Sequence, residues 1–236
     1  MKPIAIFRYI PHENPGYLAD FLDAHGLDWQ LIRIDAGDAV PSSVNDFSGL
    51  VFMGGPMSVN DELPWIPQLL NLIREAVAAD IPVLGHCLGG QLMAKALGGT
   101  VGSNVVREIG WGEVMVANNA EAKHWFGDIT RFQSFHWHGE TFSLPVGATQ
   151  LLASAYCKNQ AFSLGKHLAL QCHIEMTADM VREWCRVGAD EITEALSHAG
   201  VQSVADIERD LKLRVTALNH VAERVYSRWV VGLSAA

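Results

Sequence analysis

Three features of the sequence predict an α/β fold, a doubly wound and mostly parallel sheet flanked by helices, with a helical C-terminal extension. Short, continuous apolar runs recur through the first half of the chain, segments with i, i+3, i+4 apolar spacing separate them, and one long stripe at helical spacing closes the sequence. Strands that are apolar on both faces need cover on both faces, which the intervening helices supply.

The first run is Pro3–Phe7. Asn14 and Pro15 then read as the cap and first-turn residue of a helix carrying Tyr17, Leu18, Phe21 and Leu22, stopped by Gly26. Trp29–Ile34 and Gly49–Met53 are the next two strands. Leu69, Leu70, Ile73 and Val77 mark a helix, Ile81–Gly85 a strand, and LGGQLMAKALGG a helix closed by Gly98 and Gly99. From about Val101 to His173, turn-rich β-type segments (EVMVA, FQSFHW, HLALQCH) predict a partly antiparallel half. From Thr177 onward the pattern is helical. Ser203 with Asp206 forms a capping-box-like start, and Ile207, Leu211, Val215, Leu218, Ala222, Val225 and Trp229 make one stripe that is expected to pack on the sheet. Residues 1–190 are thus expected to form the α/β domain and residues 191–236 the helical extension packed on it.

The 236 residues are 49% hydrophobic and 18% charged, a globular composition, and the formal net charge of -9 argues against a nucleic-acid partner. No apolar run approaches the ~18 residues of a membrane span, and the apolar part of MKPIAIFRYIP is short for a signal peptide. The four cysteines, at 87, 157, 172 and 185, form no CxxC pair and suit a reducing compartment; a cytoplasmic location is expected.

GHCLGGQ places Cys87 between a strand and a helix, with Gly85 and Gly89 two residues to either side. That spacing is the G-x-nucleophile-x-G elbow, with Cys in place of Ser, at the carboxyl end of a strand where ligands bind in open α/β sheets. The helix N-terminus lays roughly half a unit of positive charge beside the sulfur. An inert buried cysteine is the competing reading, and the elbow setting outweighs it. The glycines fit no phosphate motif: Gln91 stands where a P-loop needs Lys, and Cys87 takes the second glycine position of G-x-G-x-x-G.

A thiolate that attacks an amide needs a base. His173 and Glu175 lie two apart at the end of an apolar strand, so in extended chain both face one way and the carboxylate can orient the imidazole. Alone, such a pair also suits a surface or capping role. His136 and His138 raise the question of metal, but no third ligand with suitable spacing follows, so no metal is expected. Cys157, Cys172 and Cys185 read as structural. Oxyanion donors are expected at the N–H of Leu88 and, in the loop GGPMSVND, at Gly55; a loop merely punctuated by Pro56 is the alternative.

With Gly85, Cys87, Gly89 and Gln91 in place, the chain resembles the class I glutamine amidotransferases, whose G-x-C-x-G-x-Q pattern is matched in full. GGPMS, REIGW, HWHGETFSLPVGATQLLAS and the late His-x-Glu are similar as well, over roughly residues 45 to 177, most of all to stand-alone relatives of the amidotransferase half of GMP synthase. The family usually has proline between His and Glu; here it is Ile174. The resemblance implies a Cys87–His173–Glu175 triad that hydrolyses the glutamine side-chain amide through a thioester, with Gln91 holding substrate and backbone near His136 and Trp137 assisting. It implies no cofactor. A separate ammonia-accepting enzyme is an expected partner, since nothing here resembles a synthetase domain. Three rivals stay open: a γ-glutamyl peptide or amine hydrolase with the same triad, a cysteine-type α/β-hydrolase for esters or lactones with Asp128 as the acid, and a non-catalytic scaffold.

Overall fold

The computed structural model describes residues 1–233. In chain order the elements are β1 (Ile4–Arg8), α1 (Tyr17–Ala24), β2 (Trp29–Arg33), β3 (Gly49–Phe52), α2 (Trp65–Ala78), β4 (Val83–His86), α3 (Leu88–Ala96) and β5 (Val101–Val116). There follow α4 (Ala120–Phe126), β6 (Arg131–Phe142), β7 (Thr149–Ser154), β8 (Ala161–Leu164), β9 (His167–Leu170), α5 (Ala178–Val187), α6 (Ala189–Ala195), α7 (Val204–Glu208) and α8 (Leu211–Val231). One nine-stranded sheet runs β2-β1-β3-β4-β9-β8-β7-β5-β6. The five strands from β2 to β9 are parallel, and the remaining pairings are antiparallel. The mixed sheet agrees with the two sequence patterns, continuous apolar runs first and turn-rich segments later.

The alternation of side chains along each parallel strand divides the interior into two layers. Ile4, Ile6, Val51 and Leu84 enter one core with α1, α4, α5 and α8, whereas Ala5, Phe7, Leu50, Phe52 and Val83 enter the other with α2 and α3. Both layers exclude water almost completely, which explains why these strands carry no polar face.

Two local expectations are corrected. The first helix begins at Tyr17 and is capped by Gly16 at φ +51°, not by Asn14 and Pro15; the Asn14 side chain instead accepts the Gly16 N–H at 2.9 Å. The start of the helix is set by docking. The Tyr17 N–H donates to the Glu175 carbonyl at 2.8 Å, and a Cβ on Gly16 would overlap that same oxygen. Second, the C-terminal stripe belongs to two helices. The chain breaks at Asp210, φ +53°, because Ile207 is held under the Trp111 indole, whose N–H donates to the Ile207 carbonyl at 3.0 Å. Ser203 does cap α7, accepting the Asp206 N–H.

Helix α8 reaches deep into the molecule. Tyr226 and Trp229 are fully buried in the core that holds Ile4, Ile6 and Leu84, and the Trp229 ring lies 3.1 Å from where a Cβ on Gly49 would stand. Among the described residues no helix is long and apolar enough to cross a membrane. Trp229→Ala should lower the unfolding free energy by about 3–5 kcal/mol, measured by urea denaturation, because it empties a fully packed site.

Candidate active site

Cys87 sits at the junction of β4 and α3 with φ +49° and ψ -107°. A non-glycine residue in that region costs about 1–3 kcal/mol and persists only where the surroundings fix it. Here they do. The Cys87 N–H donates to the Leu170 carbonyl of β9 at 2.8 Å, and the Gly89 N–H donates to Met53 at the end of β3 at 3.1 Å. A Cβ on Gly85 would lie 2.5 Å from the Gly89 carbonyl, and one on Gly89 would overlap the backbone of Phe52, so neither position admits a side chain. The two glycines of the motif are what let strand, turn and helix approach this closely.

The chain leaving β9 brings the other two candidates to the same place. His173 bridges to Phe135 of β6, with its N–H donating to the Phe135 carbonyl at 2.8 Å, and the Ser134 hydroxyl donates to the His173 carbonyl at 3.0 Å. His173 Nδ1 meets Glu175 Oε1 at 2.6 Å, both side chains being 1% exposed. Ile174, where the family usually has proline, points its side chain fully into the core and leaves the pair intact. Burial alone would keep His173 neutral, but the Glu175 carboxylate and the adjacent Cys87 sulfur raise its pKa well above the usual value. Burial would likewise raise Glu175; the imidazoles of His86 and His173 outweigh it and hold the carboxyl at about 2.

Several residues that the sequence did not single out complete the arrangement. His86, just before the elbow, lies 3.7 Å from Glu175 Oε2 and 3.1 Å from the Tyr226 hydroxyl, so α8 contributes to this centre. Gln171 donates to the Cys87 sulfur at 3.5 Å and accepts from Gln91 Nε2 at 3.1 Å. Trp184 packs edge-on against the His173 ring at 4.8 Å. Gln171 shares the period-two register of His173 and Glu175, a signal that was present; His86 and Tyr226 meet only through the fold, and no local pattern marks them.

Above the sulfur opens a cavity of about 500 Å³. Gly55, Gln91, Trp137 and Cys87 all line it, and Leu88, at the start of α3, packs its side chain against Gly55. The Trp137 carbonyl lies 3.8 Å from Cys87 Sγ. His136 is not in this wall. Its ring is buried behind β6, 3.4 Å from the Gly112 carbonyl and 3.3 Å from Gln160 Nε2, and burial pushes its pKa down to about 4.

The expectation that the two histidines lack a third possible ligand is also corrected. Glu108, carried next to them by the pairing of β5 with β6, brings a carboxylate within 4.8 Å of both rings. The Gln160 amide nitrogen already lies among these atoms, 2.7 Å from Glu108 Oε2 and 3.4 Å from His138 Nε2, and ties them into a hydrogen-bonded network. Cys157, Cys172 and Cys185 are buried away from the cavity, and burial raises all three thiols, Cys172 to about 12 and Cys185 to about 11. Asp128 is exposed in the turn after α4 and takes no part in the cavity wall.

A doubly wound sheet with a cysteine on a strand-to-helix elbow, facing a buried His–Glu pair, defines the class of protein. The model of the family described as glutamine amidotransferase class-I matches residues 17–182, so the chain belongs to the class I glutamine amidotransferases. It is 31% identical over 205 residues to the glutamine amidotransferase-like protein YfeJ of Salmonella typhimurium, covering 83% of this chain and 84% of that one. It is 27% identical to gamma-glutamyl peptidase 3 of Arabidopsis thaliana over 75% of each, and 36% identical to a glutamine-hydrolysing GMP synthase subunit of Natronomonas pharaonis over 58% of this chain and 68% of that one. The crystal structure of a glutamine amidotransferase from Methylobacillus flagellatus superposes with a TM-score of 0.98 at 46% identity, covering 100% of this chain and 97% of that chain.

The depressed pKa of Glu175 has a consequence for stability. Its contribution is complete above the ordinary carboxylate value of about 4.3 and is lost as pH falls towards 2. Urea denaturation between pH 5 and pH 2 should therefore show a steep loss of stability that is shallower in Glu175→Gln.

Proposed function

We propose that the protein hydrolyses the side-chain amide of glutamine and releases ammonia, with Cys87 as nucleophile, His173 as base and acid, and Glu175 as the orienting carboxylate. The observation that carries this reading is the Cys87 sulfur, raised on a strained elbow at the floor of the cavity beside the 2.6 Å His173–Glu175 pair. The sulfur attacks the amide carbon, and the charge that forms on oxygen is received by the N–H groups of Gly55 and Leu88. His173 then protonates the departing nitrogen, leaving a γ-glutamyl thioester on Cys87. Water activated by His173 cleaves the thioester and returns the sulfur. Gln91 and the backbone at Trp137 hold the glutamyl part; His136 supports that strand from behind. The ammonia is consumed by a separate enzyme docked near the loop that holds Gly55 and the stretch of β5 that holds Arg107.

A second reading shares the whole mechanism. The cavity extends well beyond the sulfur, lined on one side by His12, Glu13 and Val187, and leaves room for a larger amine than ammonia. A γ-glutamyl peptide or amine hydrolase fits that space. The ester-hydrolase alternative loses its acid, because Asp128 is exposed and outside the cavity.

Cys87→Ala and His173→Ala should each lower glutamine hydrolysis about 1,000-fold or more, and Glu175→Gln less, measured as glutamate release at constant fold content. Addition of cell extract should stimulate glutamine turnover if ammonia is handed to a partner; turnover unaffected by extract contradicts the partner.

A further inference from the structure

The cavity wall holds one carboxylate that the triad does not use. Glu13, in the segment between β1 and α1, is partly buried at the cavity, and its side chain has no hydrogen-bond or ion-pair partner among the described residues. The other acidic side chains of the wall are engaged. Glu191 accepts from Arg107 at 2.7 Å and from the Trp137 indole at 2.8 Å, and Glu140 accepts from the Ser58 hydroxyl at 3.1 Å. Three carboxylates, Glu13, Glu140 and Glu191, face one guanidinium, Arg107, so the cavity favours cations.

Glu13 stands on the side of the leaving group. The nitrogen that His173 protonates must come within hydrogen-bond reach of that ring, so whatever the nitrogen carries extends along the wall next to His173. Glu13 and His173 crowd the same point over Gly54: a Cβ there would overlap the Glu13 carboxylate and lie 3.1 Å from His173 Cε1. Trp184, packed on His173, continues this wall and donates its indole N–H to the His12 carbonyl at 2.8 Å. A carboxylate beside an aromatic wall is a setting suited to an ammonium group.

We propose that Glu13 forms a leaving-group subsite that selects γ-glutamyl amides whose departing amine carries a second, positively charged amino group. This rests on the triad mechanism above in its second form, a γ-glutamyl amine hydrolase, and names the substrate class of that reading. Cys87 Sγ bonds to the γ-carbonyl carbon, the C–N bond breaks, and the nitrogen takes a proton from His173. The diamine departs with a new primary amine at the cleaved end and its ammonium unchanged at the other, and water then releases glutamate from Cys87. Burial pushes the Glu13 carboxyl up to about 7, against the pull of His173 and with the push of Glu175 and Glu191. An ammonium group bound beside it favours the ionised carboxylate and adds to the pull that His173 already exerts.

The test is a substrate series with the purified full chain: γ-glutamyl monoamides of two- to four-carbon diamines, the neutral γ-glutamyl alkylamides of matching length, and γ-glutamylglycine. The expected kcat/KM for the best diamine amide exceeds that of its neutral counterpart about ten- to hundredfold, with γ-glutamylglycine slowest. In Glu13→Gln that ratio should collapse towards one. Equal rates for charged and neutral amides in the wild type, or a Glu13→Gln variant that slows both by the same factor, would overturn the subsite and leave the triad reading standing. Cleavage of none of the amides, nor of glutamine, would sink the triad reading and the subsite with it.

Discussion

The backbone of Cys87 is the constraint on which the rest depends. An L-residue at φ +49° relaxes unless neighbours hold it, and two hydrogen bonds from adjacent elements do so: Cys87 to Leu170 on one side and Gly89 to Met53 on the other. Those bonds exist because β4 lies between β3 and β9 in the sheet. The parallel order, the double-faced burial of the strands and the absence of side chains at Gly85 and Gly89 are thus conditions for one sulfur to stand clear of the backbone. A cysteine in an ordinary helix would bury its thiol, as Cys185 does in α5.

A buried carboxylate carries the electrostatic side of the site. Glu175 is 1% exposed and stays ionised because His173 and His86 approach its two oxygens at 2.6 and 3.7 Å. His86 is in turn fixed by Tyr226, which belongs to α8, so the last long helix acts on the site as well as on the core. The Tyr17 N–H bonds to the Glu175 carbonyl, so the segment that carries Glu13 is anchored to the same short stretch of chain. Cys87, His173 and the far wall of the cavity therefore share their supports.

Much of this was legible in the sequence where a residue's role depends on near neighbours. The apolar runs Pro3–Phe7, Gly49–Met53 and Ile81–Gly85 signal buried parallel strands through composition alone, and G-x-C-x-G-x-Q signals the elbow because its steric demands are local. His173 and Glu175 were legible for the same reason, two residues apart in extended chain. What escaped depends on distant contacts. The cap of α1 moved from Asn14 to Gly16 because the helix docks on residue 175, and the C-terminal stripe breaks at Asp210 because Ile207 is drawn under Trp111. Glu108 reaches His136 and His138 only through the pairing of β5 with β6, where sequence spacing gives no hint. Glu13 looks like any loop acid until the fold sets it over Gly54 beside His173.

The central claim is that Cys87 carries the γ-glutamyl group between two half-reactions. The direct measurement is rapid acid quenching of turnover with glutamine, followed by peptide mapping by mass spectrometry. The account predicts a γ-glutamyl adduct on the peptide containing Cys87 and none on those containing Cys157, Cys172 or Cys185. Turnover without any adduct on Cys87, or an adduct on one of the other three, would contradict it.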